Sequence, residues 1–265
     1  MEHIVECMTA IIEPPIEPGS DSQVIDCSTE VDMEPGHDAP TCRKQLCTYL
    51  IKDFSAEGSN YTKPENQPTF HARGRAGKVY KVTVPGHGSI AIKIQYIPDL
   101  VAFQNEFRYA MGAAKHNIGP NIYDYYICNS NAPAAEEAAA AEETVVASYG
   151  IIIMKLLDGY VLSSDYIELI GKLNPITKSI VAGHFIPKIT DQFKIIKEVL
   201  VDKLQINIPD FQFMIHPDTH HVQVIDFGFT ISMVDWIPEK KEAVKHNYQE
   251  KITTFIGELS KRCTT

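Results

Sequence analysis

The chain has 265 residues, 44% of them hydrophobic, which is enough for one two-lobed globular domain with tails. Its formal net charge of −10 at pH 7 lies in residues 1–40, which hold ten acidic residues and no Lys or Arg; the remaining 24 acidic and 24 basic residues balance. A balanced body lacks the clustered positive charge that binding to phosphate backbones requires, so we expect no nucleic-acid partner.

Residues 1–41 form an acidic head that also holds several prolines and glycines. Its apolar patches, such as Met8–Ile12, are too short to bury much surface on their own, so the head is predicted to be mostly disordered. The first 20 residues lack the basic start and apolar stretch of a secretion signal, and no run of 18 apolar residues occurs. We therefore expect a cytoplasmic protein with no membrane partner.

Cysteine usage bears on the redox environment of the chain. Six cysteines occur without the C-x-x-C pairs of a zinc site or the density of a secreted disulfide scaffold. This pattern predicts reduced thiols in an intracellular compartment, at Cys7, Cys27, Cys42, Cys47, Cys128 and Cys263.

Residues 42–65 are predicted to form a short amphipathic helix, Arg43–Phe54, followed by a polar linker that contains proline. The folded domain is predicted over residues 66–265. Within it, the change from strand-like to helical patterns places an N-terminal lobe at about 66–157 and a C-terminal lobe at about 158–265.

The N-terminal part of this domain has mainly strand patterns. Alternating β-branched and aromatic residues predict three strands between residues 69 and 97, two of them joined by the turn Pro85–Gly88. Asp99–Lys115 is predicted to be an amphipathic helix, and two strands follow at Asn121–Cys128 and Tyr149–Leu157. The Ala/Glu-rich insertion 129–148 between them is predicted to be a disordered hairpin tip.

The C-terminal part has mainly helical patterns. Ile189–Leu204 and about Glu239–Arg262 are predicted to be helices. Between them, Phe211–Ile215 and His221–Ile225 are predicted to be short strands joined by the turn His-Pro-Asp-Thr-His. The histidines of this turn, His216, His220 and His221, are predicted to lie in a solvated loop, because a zinc site needs four converging ligands.

Two short segments in the strand region carry residues that suit phosphate chemistry. Gly74 and Gly77 come just before Val79 on a strand, and glycines let backbone N–H groups approach phosphate oxygens closely. Lys93 ends the apolar strand sequence Ile-Ala-Ile-Lys, where a buried ammonium needs an acidic partner. Glu106 on the next helix is the candidate partner.

Two later segments add a purine slot and a carboxylate. Tyr149–Gly159 contains Met154 and Leu156, and an apolar strand with backbone donors and acceptors suits a purine. The strand Val222–Ile225 is followed by Asp226-Phe227-Gly228.

The order and spacing of these four segments resemble the protein-kinase family, and in particular small atypical kinases and pseudokinases with a truncated C-terminal lobe. The resemblance implies an α+β, two-lobed protein-kinase-like fold. Its N-terminal lobe would hold a five-stranded antiparallel sheet and one helix, and its C-terminal lobe would be reduced and mainly helical. The implied cofactors are ATP and Mg²⁺.

The resemblance also implies a role for each of these residues. Lys93 would contact the α- and β-phosphates and be held by an ion pair with Glu106, and Asp226 would hold Mg²⁺. The remaining nucleotide-binding positions would be Gly74, Gly77, Val79, Ala91, Met154 and Leu156.

The catalytic loop departs from the family pattern H-R-D-x-x-x-x-N, since no such string occurs in the chain. One alignment places Gln212 at the metal-binding Asn and Asn207 at the base, and an amide cannot accept a proton as a carboxylate does. A second alignment shortens the loop and makes Asp210 the catalytic base, with Gln212 still able to bind metal. Asp210 is our working candidate because Lys93 and Asp226 are both retained.

Two functions follow from the resemblance. The first is an ATP-dependent phosphotransferase of the Ser/Thr protein-kinase type, with a protein substrate of unknown identity. The alternative is a pseudokinase that binds a nucleotide or a protein partner without transferring phosphate. Only 37 residues follow Gly228 and no A-P-E string occurs, so phosphotransfer to a small molecule also remains open.

Overall fold

The computed structural model describes residues 2–12, 23–26, 39–54, 68–73, 77–130 and 147–264. The chain divides into two compact units. Unit 1 comprises Met1–Phe107 and Ile122–Leu156, and unit 2 comprises Arg108–Asn121 and Leu157–Thr265. Across the described residues, no helix is long and apolar enough to cross a membrane.

Unit 1 is built on a six-stranded sheet. Its strands are β1 (Gln23–Asp26), β2 (Thr69–Arg73), β3 (Gly77–Val84), β4 (Gly88–Tyr96), β5 (Ile122–Ser130) and β6 (Ala147–Lys155). They lie in the order β1-β5-β6-β4-β3-β2, and all neighbours are antiparallel except β1 and β5. The structure therefore confirms a mixed α+β fold with a five-stranded antiparallel sheet, and it adds a sixth, parallel strand from the head.

The predicted turn between two of these strands is present at residues 85–87. Gly86 has φ of 81° and Gly88 has φ of 78°, a region where a Cβ is costly and glycine is preferred. The His87 N–H donates to the Val84 carbonyl at 3.1 Å and closes the turn. This local chemistry fixes the β3–β4 register, in which Val79 lies opposite Lys93.

One face of the sheet is covered by helix α3, Leu100–Lys115, of which residues up to Phe107 belong to unit 1. Asp99 caps the helix, since its Oδ1 accepts from the N–H groups of Val101 and Ala102. Phe103 packs so closely on Gly150 that no side chain larger than hydrogen fits there. The predicted helix Asp99–Lys115 is thus present, with Asp99 as its cap.

The opposite face is covered by two helices from the N-terminal region, α1 (Glu2–Ile12) and α2 (Ala39–Phe54). Met8 and Leu50 are fully buried in one apolar cluster with sheet residues such as Tyr80 and Ile92. The disordered head predicted for residues 1–41 therefore differs from the structure at 2–12, 23–26 and 39–41, and the helix predicted at Arg43–Phe54 is present but begins at Ala39. The short patch Met8–Ile12 is buried because the sheet supplies the other half of the core.

The remaining predictions for this region cover residues that the structure does not describe. Residues 13–22 and 27–38 of the head, most of the linker at 55–67, and 131–146 of the Ala/Glu insertion lie outside the described residues. The insertion's first and last residues continue the strands, since β5 reaches Ser130 and β6 begins at Ala147.

Two disulfides stabilise the helical layer, one between its two helices and one between α2 and the sheet. Cys7 of α1 is bonded to Cys42 of α2, and Cys47 of α2 is bonded to Cys128 of β5. The expectation of reduced thiols is therefore wrong for these four residues. The bonded cysteines are 35 and 81 residues apart in the sequence, and cysteine spacing alone does not reveal which cysteines pair. Cys263 is a free thiol, and Cys27 lies outside the described residues.

Unit 2 is mainly helical. Its helices are α4 (Ser163–Gly171), α5 (Pro175–Ile180), α6 (Ile186–Glu198) and α7 (Pro238–Thr264). Two π-helical turns, Val181–Phe185 and Val199–Lys203, join α5 and α6 and extend α6 into one continuous helical segment. The predicted helix Ile189–Leu204 is the second half of that segment, and the predicted last helix is α7.

Two small sheets complete unit 2. The first orders β10 (Val222–Ile225), β9 (Gln212–Ile215) and β7 (Val161–Leu162), and the second pairs β8 (Ile206–Asn207) with β11 (Ile231–Ser232). The predicted hairpin corresponds to β9 and β10. Phe193, Phe213 and Phe255 pack edge to face beneath it. Burial raises the pKa of Tyr248 to about 12, and its hydroxyl accepts from the Ile208 N–H at 2.6 Å.

Candidate functional site

Lys93 and Glu106 form a close ion pair in unit 1. The Nζ of Lys93 on β4 lies 2.5 Å from Oε1 of Glu106 on α3, and the two side chains are 14% and 5% exposed. The other carboxylate oxygen, Oε2, accepts from Nε2 of Gln95 at 2.7 Å. Each carboxylate oxygen of Glu106 therefore has a hydrogen-bond donor, and a buried carboxylate is costly without such donors.

The strand and helix periods explain this arrangement. Ile90, Ile92 and Ile94 alternate toward the apolar face of α1 and α2, so Lys93 and Gln95 point to the opposite face. Glu106 lies between Phe103 and Phe107 on the buried side of α3. The expected acidic partner of Lys93 is thus present, whereas the contribution of Gln95 was not foreseen from the sequence.

Neighbouring strands bring several predicted nucleotide-binding residues next to Lys93 in register. Val79 lies opposite Lys93, and Ala91 lies opposite Met154. The N–H of Leu156 donates to the Ser89 carbonyl at 3.0 Å, which extends the β4–β6 pairing by one bond. Val79, Ala91, Lys93 and Met154 therefore occupy neighbouring positions on three adjacent strands.

The two glycines of the predicted phosphate loop differ in what the structure shows. Gly74 lies outside the described residues. Gly77 begins β3, and a Cβ added there would overlap the carbonyl oxygen of Ile94 on β4. Close approach of two strands is therefore a sufficient reason for glycine at position 77.

Asp226 follows β10 in unit 2 and has a left-handed backbone, with φ of 60°. Its Oδ1 accepts from the Gly228 N–H at 3.4 Å. Gln212 pairs with Ile225 across the hairpin, so the amide of Gln212 and the carboxylate of Asp226 come from neighbouring positions. A non-glycine residue in this conformation costs of the order of 1 kcal/mol or more, and such residues cluster at functional sites.

The two candidate bases have different environments. Asp210 is exposed, and its Oδ2 accepts from Nε2 of Gln212 at 3.1 Å. Asn207 lies in β8 opposite Ile231, and its Oδ1 is buried with no hydrogen-bond donor among the described residues. A buried acceptor of this kind costs about 1–3 kcal/mol, so position 207 is under a constraint that folding alone does not explain.

A magnesium ion would fit these residues only in part. The described residues contain no group of three or more His, Cys, Asp or Glu side chains that could hold a metal ion. Asp226 and Gln212 together offer one carboxylate and one amide. Mg²⁺ is usually bound through one or two carboxylates, with the other ligands from water and phosphate oxygens, so this donor set fits a metal that arrives with a nucleotide.

The three histidines of the β9–β10 turn are not in a solvated loop, which corrects the sequence interpretation. His220 is 5% exposed and its Nδ1 lies 2.6 Å from the Tyr166 hydroxyl. Nδ1 of His221 lies 2.7 Å from the Tyr160 hydroxyl, and Nδ1 of His216 accepts from the N–H groups of Asp218 and Thr219. Burial lowers the pKa of both His220 and His221. The turn is a packed polar cluster.

Comparison with protein-family models found no match, and comparison with curated proteins found no similar sequence. The functional argument therefore rests on the motifs of this chain and on the geometry of its described residues.

Proposed function

We propose that this chain is an ATP-dependent phosphotransferase of the Ser/Thr protein-kinase type. The observation that carries the proposal is the Lys93–Glu106 ion pair on the sheet of unit 1, secured by Gln95. A lysine held at a fixed place by a satisfied carboxylate is suited to donating to the α- and β-phosphates of ATP. A solvent-exposed lysine has no need of a buried partner.

The second part of the proposal assigns the metal to unit 2. Asp226 would bind Mg²⁺ between the phosphates, with Gln212 as a second oxygen ligand. The left-handed backbone of Asp226 supports this role, because strained backbone conformations cluster at functional positions. The metal would neutralise charge that develops on the transferred phosphoryl group.

The third part concerns the proton. The hydroxyl oxygen of the acceptor attacks the γ-phosphorus, the bond to the β–γ bridging oxygen breaks, and ADP leaves. Asp210 is proposed as the base that takes the hydroxyl proton, since its carboxylate is exposed and close to Gln212. The acceptor would be a Ser or Thr hydroxyl of a protein.

A binding module without transfer is the alternative, and Asn207 favours it. The buried Oδ1 of Asn207, which has no donor within the part of the chain that the structure describes, is an acceptor that cannot take up a proton at neutral pH. If position 207 rather than 210 faces the acceptor, the chain would bind nucleotide as a pseudokinase and act through a partner.

The test is transfer of labelled phosphate from ATP·Mg²⁺ to the protein itself and to a generic acceptor. Lys93→Met and Asp226→Asn should each lower the rate by about 100-fold or more, because each removes charge stabilisation of the transition state. Asp210→Asn should lower it by about 100-fold as well, through loss of the base.

Matched controls separate these roles from general damage. Lys155→Met removes a lysine from β6 of the same sheet, and Asp235→Asn removes an exposed carboxylate from unit 2; neither should change the rate. Transfer that survives Asp210→Asn would reject Asp210 as the base. No transfer by the wild type, together with ATP-dependent thermal stabilisation, would favour the pseudokinase.

A further inference from the structure

A cleft within unit 2 is lined by a lysine and two histidines together with several aliphatic side chains. Its volume is about 580 Å³, within the range of sites that hold small molecules. It is formed by the turn after α3, the β9–β10 turn and one side of α6. The residues assigned above to ATP and Mg²⁺ do not line it, so the proposed function leaves this cleft without a role.

Lys188 supplies the positive charge of the cleft lining, and His116 and His221 supply imidazole nitrogens. Nζ of Lys188 donates to the Thr219 carbonyl at 3.0 Å, which holds the ammonium at the cleft. An ammonium has three N–H donors, and this contact uses one of them. Tyr160 contacts the His221 ring through its hydroxyl and fixes the imidazole at the cleft wall.

The electrostatic character of the cleft favours an anion. None of the described residues that line it is acidic. Asp218 precedes Thr219 in the sequence but is not part of the lining. A lysine and two histidines without a lining carboxylate make a site in which a negative group is better stabilised than a neutral one.

The cleft lining also includes aliphatic side chains. They are those of Ile118, Ile196 and Val222, together with Ile195, which has 54% of its surface exposed. A large aliphatic side chain on the exposed face of a helix gains free energy when a ligand covers it. These side chains therefore suit a flat or aliphatic group attached to the anion.

We propose that this cleft binds a small organic phosphate monoester, with the phosphate at Lys188 and His221 and the organic group against Ile195. Lys188 and His221 set the orientation, since ammonium and imidazole donors form charge-assisted hydrogen bonds to phosphate oxygens. The aliphatic side chains add affinity that inorganic phosphate cannot obtain.

The probe is phenyl phosphate, titrated into the full chain while the ring signals of the histidines are followed by NMR. The signals of His116 and His221 should shift saturably, whereas those of His71 and His246 outside the cleft should not. Inorganic phosphate and phenol should each bind more weakly than phenyl phosphate, because inorganic phosphate lacks the apolar group and phenol lacks the phosphate.

Variants on one helix make the test specific. Lys188→Gln should weaken phenyl phosphate at least about tenfold, since a charge-assisted bond is lost. Lys194→Gln removes the same charge from α6 at an exposed pair with Asp191, outside the cleft lining, and should leave the affinity unchanged. Ile195→Ser should weaken the binding of phenyl phosphate but not the binding of inorganic phosphate.

Any one of three results in these titrations would overturn the proposal, and a fourth concerns Lys93. The three are the absence of any saturable shift at His116 and His221, equal effects of Lys188→Gln and Lys194→Gln, and phenol binding as tightly as phenyl phosphate. Lys93→Met should leave the phenyl phosphate affinity unchanged. A loss of affinity in Lys93→Met would place the ligand at the proposed ATP site instead, and would reject the cleft without bearing on phosphotransfer.

Discussion

At the scale of single residues, the Glu106 carboxylate lies between two donors, Lys93 and Gln95, and is almost completely buried. Removing its charge would take a directly contacting carboxylate away from the Lys93 ammonium in a low-dielectric place. The energetic cost of such a change is far larger than that of breaking an exposed pair, because water cannot replace the lost partner.

Glu106→Gln should therefore lower the free energy of unfolding by about 2–4 kcal/mol, measured by urea denaturation. The control is Glu168→Gln, which breaks an ion pair with Lys172 in which both side chains are more than two-thirds exposed. That change should lower the free energy of unfolding far less, because water solvates both groups of an exposed pair. Equal losses in the two variants would contradict the buried pair.

Gly77 gives a second prediction at this scale, which separates packing from phosphate binding. Gly77→Ala should destabilise the protein by about 1–3 kcal/mol, since the new Cβ would overlap the Ile94 carbonyl. Gly257→Ala in α7 meets open space and should instead stabilise the protein by up to about 1 kcal/mol. Thermal unfolding would show the opposite signs, and a neutral Gly77→Ala would contradict the close strand contact.

His220 predicts how stability depends on pH. Burial and the charge of Lys188 lower its pKa in the folded chain, His216 acts in the same direction, and Asp218 opposes them. The Tyr166 hydroxyl also contacts its ring. The unfolded chain therefore binds a proton first as the pH falls, and stability is lost from about pH 6.5 downward.

The measurement is urea denaturation of the wild type and of His220→Gln at pH 7.5 and pH 5.5. The variant should be less stable at the higher pH, because it loses the ring contacts with Tyr166 and Phe185. It should also lose less stability between the two pH values than the wild type does. His246→Gln, at an exposed position on α7, should keep the wild-type pH dependence.

At the scale of elements, α1 and α2 turn the sheet of unit 1 into the middle layer of a three-layer unit. The strand β6 is apolar on both faces at Ile151–Ile153, which is typical of strands covered on both sides. This run was the available signal for a second covering layer. From the sequence, it is interpreted instead as an apolar strand that suits a purine.

The elements that were predicted correctly are those with local causes. The β3–β4 turn follows from its glycines and α3 follows from the spacing of Phe103 and Phe107. The parallel pairing of β1 with β5 joins residues about 100 positions apart, and nothing in the sequence of Gln23–Asp26 specifies its partner. The Lys93–Glu106 pair could be predicted from the sequence because the strand and helix periods place Lys93 and Glu106 on the faces of β4 and α3 that pack together.

The disulfides of α2 give the prediction at this scale. Reduction of the folded chain should lower the free energy of unfolding by about 2–4 kcal/mol for each bridge that contributes fully. Alkylation followed by mass measurement should find Cys7, Cys42, Cys47 and Cys128 protected until a reductant is added.

The double variant Cys47→Ala, Cys128→Ala is the matched comparison. Reductant should lower its free energy of unfolding by less than it lowers that of the wild type. Cys263→Ser removes the free thiol of α7 and should leave the full response. Labelling of all the cysteines before reduction would contradict both bridges.

At the scale of the whole molecule, the proposed activity requires residues of both units to act on one nucleotide. Lys93 and Glu106 belong to unit 1, whereas Asp210, Gln212 and Asp226 belong to unit 2. The sequence supplied these residues through short motifs, but the identity of the base depended on a loop that matches no motif. Whether both units act on one nucleotide therefore has to be tested by measuring nucleotide binding.

The whole-molecule prediction is that ATP·Mg²⁺ stabilises the chain, by about 2.7 kcal/mol at 100 times its dissociation constant. Lys93→Met and Asp226→Asn should each reduce this stabilisation, and the Asp226→Asn effect should require Mg²⁺. If both residues act on one ATP·Mg²⁺, the combined change should differ from the sum of the single changes, because the metal and Lys93 share the same phosphates. Strictly additive effects, or an Asp226→Asn effect that persists without Mg²⁺, would instead mean that the two residues act separately, and the phosphotransferase proposal would fail.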